Sequence, residues 1–340
     1  MRSRLWQRGR EQRGRRKVTR VSFLAGFDPC WQDAGAYLSA LTRDLDEGRR
    51  LDRLEALLAP EVISHGGSGA LVEPEVLGAD LAARLAALTG PRLRLEDRLW
   101  HALGANSLYA AERFHVSARH DGAGLYGPPS GARVQFTQMA ERLCASGRLR
   151  EQWLLRDEAA ILRQIGLDPV ECARLRLAGG APESVAPRYS GAGNGDGPGG
   201  SWGAALSELV TRVMSGEVAA LAEQYDPAAE LFLPGAEVGC GPREAEAFWI
   251  GLRAAFPSAH FEVEHALGAE TPLAPPRACI RWRLTGRHDG QGVFGAPSGA
   301  PVEILGMTQA EFGPEGLRRE WTLYDAPGVW QQILRGTGSY

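Results

Sequence analysis

The sequence predicts an α+β protein made of two tandem domains, each with helices packed on one face of a strongly curved, mostly antiparallel sheet. Three observations carry this reading. An internal repeat runs in register, a glycine-rich stretch separates its copies, and each copy passes from helical to strand-like patterning.

Self-similarity comes first, because a repeat decides how many folds there are. Residues 119–134 read RHDGAGLYGPPSGARV and residues 287–302 read RHDGQGVFGAPSGAPV, identical at eleven of sixteen positions with an offset of 168. The same offset pairs Trp153 with Trp321, Asp157 with Asp325, and Gln164-Ile165 with Gln332-Ile333. His101-Ala-Leu-Gly-Ala matches His265-Ala-Leu-Gly-Ala at an offset of 164, so the second copy has four extra residues in the following hairpin, around Thr271–Pro276. Spacing kept over such a length is duplication. Residues 179–201 are dominated by Gly, Pro, Ser and Ala, a composition that behaves as flexible coil. The expected layout is a basic, disordered arm over 1–22, a first domain over 30–176, a linker over 177–201 and a second domain over 202–337.

Each copy opens on helical spacing. Tyr37, Leu38, Leu41 and Leu45 fit one helical face, and Leu51, Leu54, Leu57 and Leu58 a second. In the second copy Leu206, Leu209, Val210, Val213, Val218, Leu221 and Tyr225 do the same. A short apolar stretch follows (Val62–His65; Leu231–Leu233), then a helix (Asp80–Leu88; Glu244–Phe256). The remainder alternates as strands do, through Arg281–Thr285, Val302–Phe312 and Leu317–Asp325, broken by Gly, Pro and Ser turns.

Composition narrows the functional classes. The net charge of −3 hides a first twenty residues that sum to +8, with eight arginines and Lys17 against Glu11, leaving −11 on the rest. A basic arm can contact nucleic acid or membrane, but this one lacks the interleaved aromatics of a single-strand binder. Neither partner is expected. No stretch approaches the ~20 apolar residues that span a bilayer, and Arg15-Arg16 is followed by too short an apolar run for an export signal. A cytoplasmic protein is expected. The five cysteines (Cys30, Cys144, Cys172, Cys240, Cys279) show no C-x-x-C spacing, so neither a disulfide framework nor a metal site is expected.

The motifs of the two C-terminal halves resemble the SnoaL-like polyketide cyclases of the nuclear transport factor 2-like superfamily. The first copy matches with His120, Gly122, Tyr126, Gly127, Pro129, Ser130, Gly131, Trp153 and Asp157. The second matches with His288, Gly290, Phe294, Gly295, Pro297, Ser298, Gly299, Trp321 and Asp325. Serine replaces the family's threonine in the turn. The resemblance implies two cone-shaped α+β barrels, each enclosing an apolar cavity. It also implies pairing through outer sheet faces, which one chain could make within itself as a pseudo-dimer. It implies acid/base chemistry without a cofactor on a small hydrophobic, carbonyl-rich substrate such as a polyketide. The reaction would be aldol cyclisation or a related proton transfer, of the polyketide or ester cyclase kind (lyase or isomerase). A tandem protein that binds such a molecule without converting it is the alternative.

Candidate residues follow from strand alternation. Trp153, Leu155 and Asp157 share one face, as do Trp321, Leu323 and Asp325. If that face lines the cavity, burial makes each aspartate a stronger base, the role the resemblance also assigns it. Equally, each aspartate could cap the helix that begins near Ala159 or Gly328. His120 and His288 could donate to a carbonyl or be fixed at the Asp-Gly bend. His65 stands where relatives often place a cavity histidine, and Phe232 takes that place in the second copy, which points to unequal halves. His101 and His265 read as structural. Met139, Met307, Glu141 and Gln309, with Tyr126 and Phe294, complete the expected lining; Glu141 and Gln309 could equally be solvated. The glycines at 122, 124 and 127, and at 290, 292 and 295, spell a dinucleotide fingerprint, but the following Pro and Ser-Gly lead into a strand rather than a helix N-terminus.

Overall fold

The computed structural model describes residues 23–67, 69–178 and 200–338; the basic arm and almost all of the linker lie outside the described residues. In the first half the elements are α1 (Ala34–Leu45), α2 (Leu54–Leu57), β1 (Leu58–Gly66), β2 (Gly69–Val72), α3 (Pro74–Ala87), β3 (Leu88–Leu103), β4 (Ser107–His120), β5 (Arg133–Ala145), β6 (Arg148–Arg156), α4 (Glu158–Gln164) and α5 (Pro169–Ala178). The second half repeats them as α6 (Gly200–Met214), α7 (Ala219–Gln224), β7 (Tyr225–Leu233), β8 (Glu237–Cys240), α8 (Pro242–Ala255), β9 (His260–Thr271), β10 (Ala274–Arg287), β11 (Pro301–Gly313), β12 (Gly316–Tyr324) and α9 (Ala326–Thr337).

The strand order is the same in both sheets: β2-β1-β6-β5-β4-β3 and β8-β7-β12-β11-β10-β9. All neighbours are antiparallel except β1 with β6 and β7 with β12. Register shifts in β3 between Thr89 and Arg92 and between Leu95 and Asp97 are bulges, which locally bend and twist a strand. The expected barrels do not form. Each sheet stays open, with a four-residue strand at one edge, and helices rather than strand pairing close its concave side. The helix expected over Leu51–Leu58 shrinks to a 3₁₀ turn (Leu51–Arg53) and the four residues of α2, because Leu58 enters β1 with extended backbone.

Local chemistry sets the ends. Asp33 caps α1 by accepting the Ala36 N–H at 2.7 Å, while Tyr37, Leu38, Leu41 and Leu45 turn inward. Pro74 and Pro242 open α3 and α8, where a missing N–H costs nothing. The histidine turn is tight for a reason visible in space: a Cβ at Gly122 or Gly290 would fall 1.7 or 2.0 Å from the carbonyl oxygen of Ala86 or Ala254, at the end of α3 or α8. Those glycines serve packing against a helix end, and no phosphate cradle is involved.

Both faces of each sheet are buried. The concave faces pack on their own helices. The convex faces pack on one another, burying Leu99, Tyr109, Met139, Trp153, Leu155, Leu267, Leu305, Met307, Trp321 and Leu323 in one cluster that spans the two halves. The outer sheet faces therefore meet within one chain, related by an approximate two-fold axis.

Candidate functional site

The sheet–sheet contact accounts for most of the side chains expected to line a cavity. Trp153, Leu155, Met139 and Glu141, with Trp321, Leu323, Met307 and Gln309, all lie between the halves and outside both cones. The alternation is as expected: odd-numbered positions of β5 and β6 share a face. That face meets the other half because both sides of the sheet are covered, a situation in which alternation cannot tell inside from outside.

Polar groups in this contact are matched across the pseudo-axis. The Arg281 guanidinium stacks on Trp153 at 3.6 Å and Arg113 on Trp321 at 3.4 Å. Arg281 pairs with Glu141, which also accepts from the Tyr109 hydroxyl at 2.5 Å and has a His265 ring nitrogen 3.4 Å away. On the other side Arg113 donates to Gln309 at 2.9 Å. Burial opposes ionisation of Glu141, but the Arg281 charge wins and lowers its pKa to about 2. Glu141 and Gln309 are neither solvated nor in a cavity.

The motif aspartates are shared caps. Asp157 accepts from Ala160 N–H at 3.0 Å at the start of α4, and also from Gly235 N–H (2.8 Å) and Ala236 N–H (2.9 Å) in the β7–β8 turn of the other half. Burial raises its pKa, and these three donors oppose the rise. Asp325 caps α9 through Gly328 N–H at 3.0 Å and packs against Gly67, in the β1–β2 turn of the first half. Its pKa is pushed up to about 6 by burial and by the nearby Glu158 carboxylate. Neither carboxylate is among the residues that line the first cone's pocket.

The histidines divide in the same way. His120 and His288 are buried, and each ring Nδ1 lies 3.0 Å from the hydroxyl of Ser130 or Ser298, which ties the turn together; burial lowers the pKa of His288. His65 stacks on Trp153 at 5.0 Å and pairs with Glu151 at 2.8 Å, as Phe232 stacks on Trp321 at 5.1 Å. His65 and Phe232 are thus structural equivalents. They face the domain boundary, where His65 lines a groove of about 630 Å³ against β10, β11 and α9. His101 and His265 sit in β3 and β9.

The cone interiors differ sharply. In the second half Trp282 is fully buried and donates to Thr308 at 3.0 Å, with Trp249, Phe261 and Tyr324 around it. Its ring lies over Gly306, where a Cβ would come within 2.1 Å of it. This indole fills the second cone. At the equivalent positions, 168 residues earlier, the first half has Phe114 and Gln138. Gln138 leaves space, and a pocket with about 40 Å³ of open volume remains, lined by Asp46, Arg84, Tyr126, Gln138 and Arg156 among aliphatic side chains. Tyr126 therefore faces the first interior, and Phe294 the mouth of the second.

A hydrogen-bonded chain reaches this pocket from the core. Glu112 pairs with Arg142 at 3.0 Å, Arg142 with Asp46 at 2.5 Å, and Gln138 donates weakly to Asp46 at 3.4 Å. Arg156 in turn donates from Nε to Gln138 at 3.1 Å. Deeper neighbours are satisfied: Arg84 pairs with Asp80 and Glu158, and Tyr126 donates to Glu158 at 2.9 Å. Arg156 is different. Among the described residues no carboxylate lies within salt-bridge distance of it, and its terminal nitrogens have no acceptor. Burial and the neighbouring Arg84 charge both lower its pKa. A half-buried cation so placed favours a negative charge brought to it. Asp46, Gln138 and Arg156 were not singled out in the sequence. The signal was there: Gln138, Arg142 and Arg156 are polar residues on the even-numbered face of strands, where the second copy has Gly306, Ala310 and Tyr324.

Among the described residues there is no cluster of His, Cys, Asp and Glu suited to a metal, and no helix is long and apolar enough to cross a membrane. Comparison with known proteins places the fold. Residues 205–333 match the family model for SnoaL-like polyketide cyclase. No curated protein matches the chain. Solved structures similar to single halves include IdmH from Streptomyces antibioticus (19% identity, 40% of this chain and 100% of that one, TM-score 0.34). TsrD from Streptomyces laurentii is similar too (23%, 40% and 98%, 0.33), as is a SnoaL-like polyketide cyclase from Agrobacterium tumefaciens (22%, 40% and 100%, 0.31). Residues 205–333 are thus matched as a SnoaL-like polyketide cyclase domain, and the motifs and strand order repeated in the first half give the chain that α+β fold twice in tandem.

Proposed function

We propose that the first half is a cofactor-independent, cyclase-like acid/base site for a small carbonyl-bearing molecule, and that the second half is its structural partner. The observation that carries this is the Arg156 guanidinium, which has no direct salt bridge among the described residues and is joined through Gln138 to the Asp46 carboxylate beside the first cone's pocket. In this reading Asp46 takes a proton from the carbon beside a carbonyl, and the enolate charge develops on the oxygen held by Arg156. The enolate carbon then attacks a second carbonyl of the same molecule, and the new alkoxide recovers the proton from Asp46. Proton and charge balance without a further reactant. A 40 Å³ space admits the reacting carbonyl group rather than a whole polycycle, so the body of the substrate would lie toward Leu85, Pro91 and Leu93.

The test is hydrogen–deuterium exchange beside the carbonyl of a panel of β-keto esters and diketones, followed by NMR. The wild-type chain should accelerate exchange, and Asp46→Asn and Arg156→Gln should each lose about 100-fold, the lower end of what general-base catalysis contributes. Asp157→Ala should keep the activity while losing about 2 kcal/mol of stability, because it removes a helix cap and leaves two interdomain N–H groups unpaired. Undiminished exchange in Arg156→Gln would falsify the assignment. Binding of these compounds without exchange would favour a ligand-binding protein of the same fold.

A further inference from the structure

A second cavity, of about 580 Å³, lies outside the filled cone of the second half and is built by both halves. Phe248, Val293, Phe294, Tyr324 and Trp330 form most of its second-half wall, with Glu237 at its rim paired to Arg163, and the first half closes it with Ala159, Arg163 and residues 166–170. Its size is that of a small-molecule site, too confined for a folded partner.

The walls are fixed before any ligand arrives. Asp168 accepts the N–H groups of Val170 and Glu171 at 2.9 and 3.0 Å, and Leu167 N–H donates to Leu162 carbonyl at 2.9 Å, which pins the α4–α5 loop. Arg163 is anchored to the Gly235 carbonyl (2.9 Å) and Glu237 (3.0 Å) across the boundary. On the opposite side Phe294 meets Trp330 edge-on at 5.4 Å and Tyr324 at 6.4 Å, while Phe248 lies 6.4 Å from Tyr324 at 29°. Apolar ring surface thus faces the space. The Tyr324 hydroxyl has no hydrogen-bond partner among the described residues and supplies one donor.

Comparison of the copies sharpens the point. The residues 168 positions before Phe248, Phe294, Tyr324 and Trp330 are Asp80, Tyr126, Arg156 and Leu162. The first mouth is polar, and α5 covers it with Arg176, which lies 5.9 Å from the Tyr126 ring and donates to the Leu125 carbonyl at 3.4 Å. The second mouth is aromatic and bounded by the loop that precedes α5. Since Trp282 fills the cone behind it, a ligand here rests between the halves.

We infer that this interdomain cleft is a second ligand site, selective for a flat, apolar small molecule carrying one hydrogen-bond acceptor, and independent of the Arg156 pocket. Fluorescence titration of the full chain with anilinonaphthalene sulfonate, an aromatic probe whose sulfonate supplies the acceptor group, tests it. One saturable site is expected. Phe248→Asp, which installs the first-copy residue, and Val293→Glu, at a position half exposed in the cleft, should each weaken binding at least about tenfold, a loss of ~1.4 kcal/mol. Arg156→Gln should leave it unchanged. A titration that does not saturate, a loss of binding in Arg156→Gln, or wild-type affinity in Val293→Glu overturns the proposal; because Val293 packs in no core, that variant decides the matter even if Phe248→Asp fails to fold.

Discussion

At the scale of single residues, the two positions that look most catalytic in the sequence act as helix caps at the domain boundary. Asp157 and Asp325 each cap their own C-terminal helix and touch the first hairpin turn of the other half. Glu141, which reads as ambiguous in the sequence, is the charged centre of the domain contact. Its folded pKa of about 2 lies below its ordinary value of 4.5, so its stabilisation is fully present above pH 4.5 and is lost as the pH falls toward 2. Glu141→Gln should therefore cost about 3 kcal/mol at neutral pH, the scale of a broken buried ion pair. The gap to wild type should close progressively below pH 4.5 in denaturant unfolding. A gap that stays constant down to pH 2 would mean that Glu141 is not ionised in the contact.

At the scale of elements, the duplication supplies its own controls. Glu73 and Gly241 occupy equivalent positions before α3 and α8, and both have left-handed backbone, with φ of 77° and 79°. Glycine adopts this conformation freely, whereas a side chain costs about 1–2 kcal/mol. Glu73→Gly should accordingly stabilise the first half by up to about 1 kcal/mol, once the added freedom of the unfolded chain is subtracted. Thermal unfolding checks the sign, and a lower midpoint would contradict it. The same comparison explains the cones: β5 and β11 differ at Gln138 and Gly306, and the glycine is what lets Trp282 lie flat across its sheet. The pair Trp282 and Gly306, against Phe114 and Gln138, distinguishes the two cones.

For the whole molecule, the consequence of the face-to-face sheets is that neither half is independent. Each convex face presents Trp, Leu and Met side chains that are buried only by the other, and a large apolar surface left open would associate or aggregate. Proteolytic nicking within residues 179–199 should therefore leave two fragments that co-elute in size-exclusion chromatography and unfold together. Separation of the fragments under native conditions would show that the contact is weak. The linker then matters for raising the local concentration of partners during folding more than for holding the folded pair.

The duplication, the element order and the turn chemistry were legible in the residues themselves, because repeat spacing, helical periodicity and Gly-Pro punctuation are local properties of the chain. The equivalence of His65 with Phe232, and the inequality of the halves, could also be read there. What only the tertiary structure decided is which side of each sheet is interior. With both faces covered, Trp153, Met139 and Glu141 follow the same apolar alternation whether they line a cavity or meet a second domain. The partner half sits more than a hundred residues away, and only its placement assigns them to the contact, leaving the opposite phase, with Gln138 and Arg156, to face the pocket.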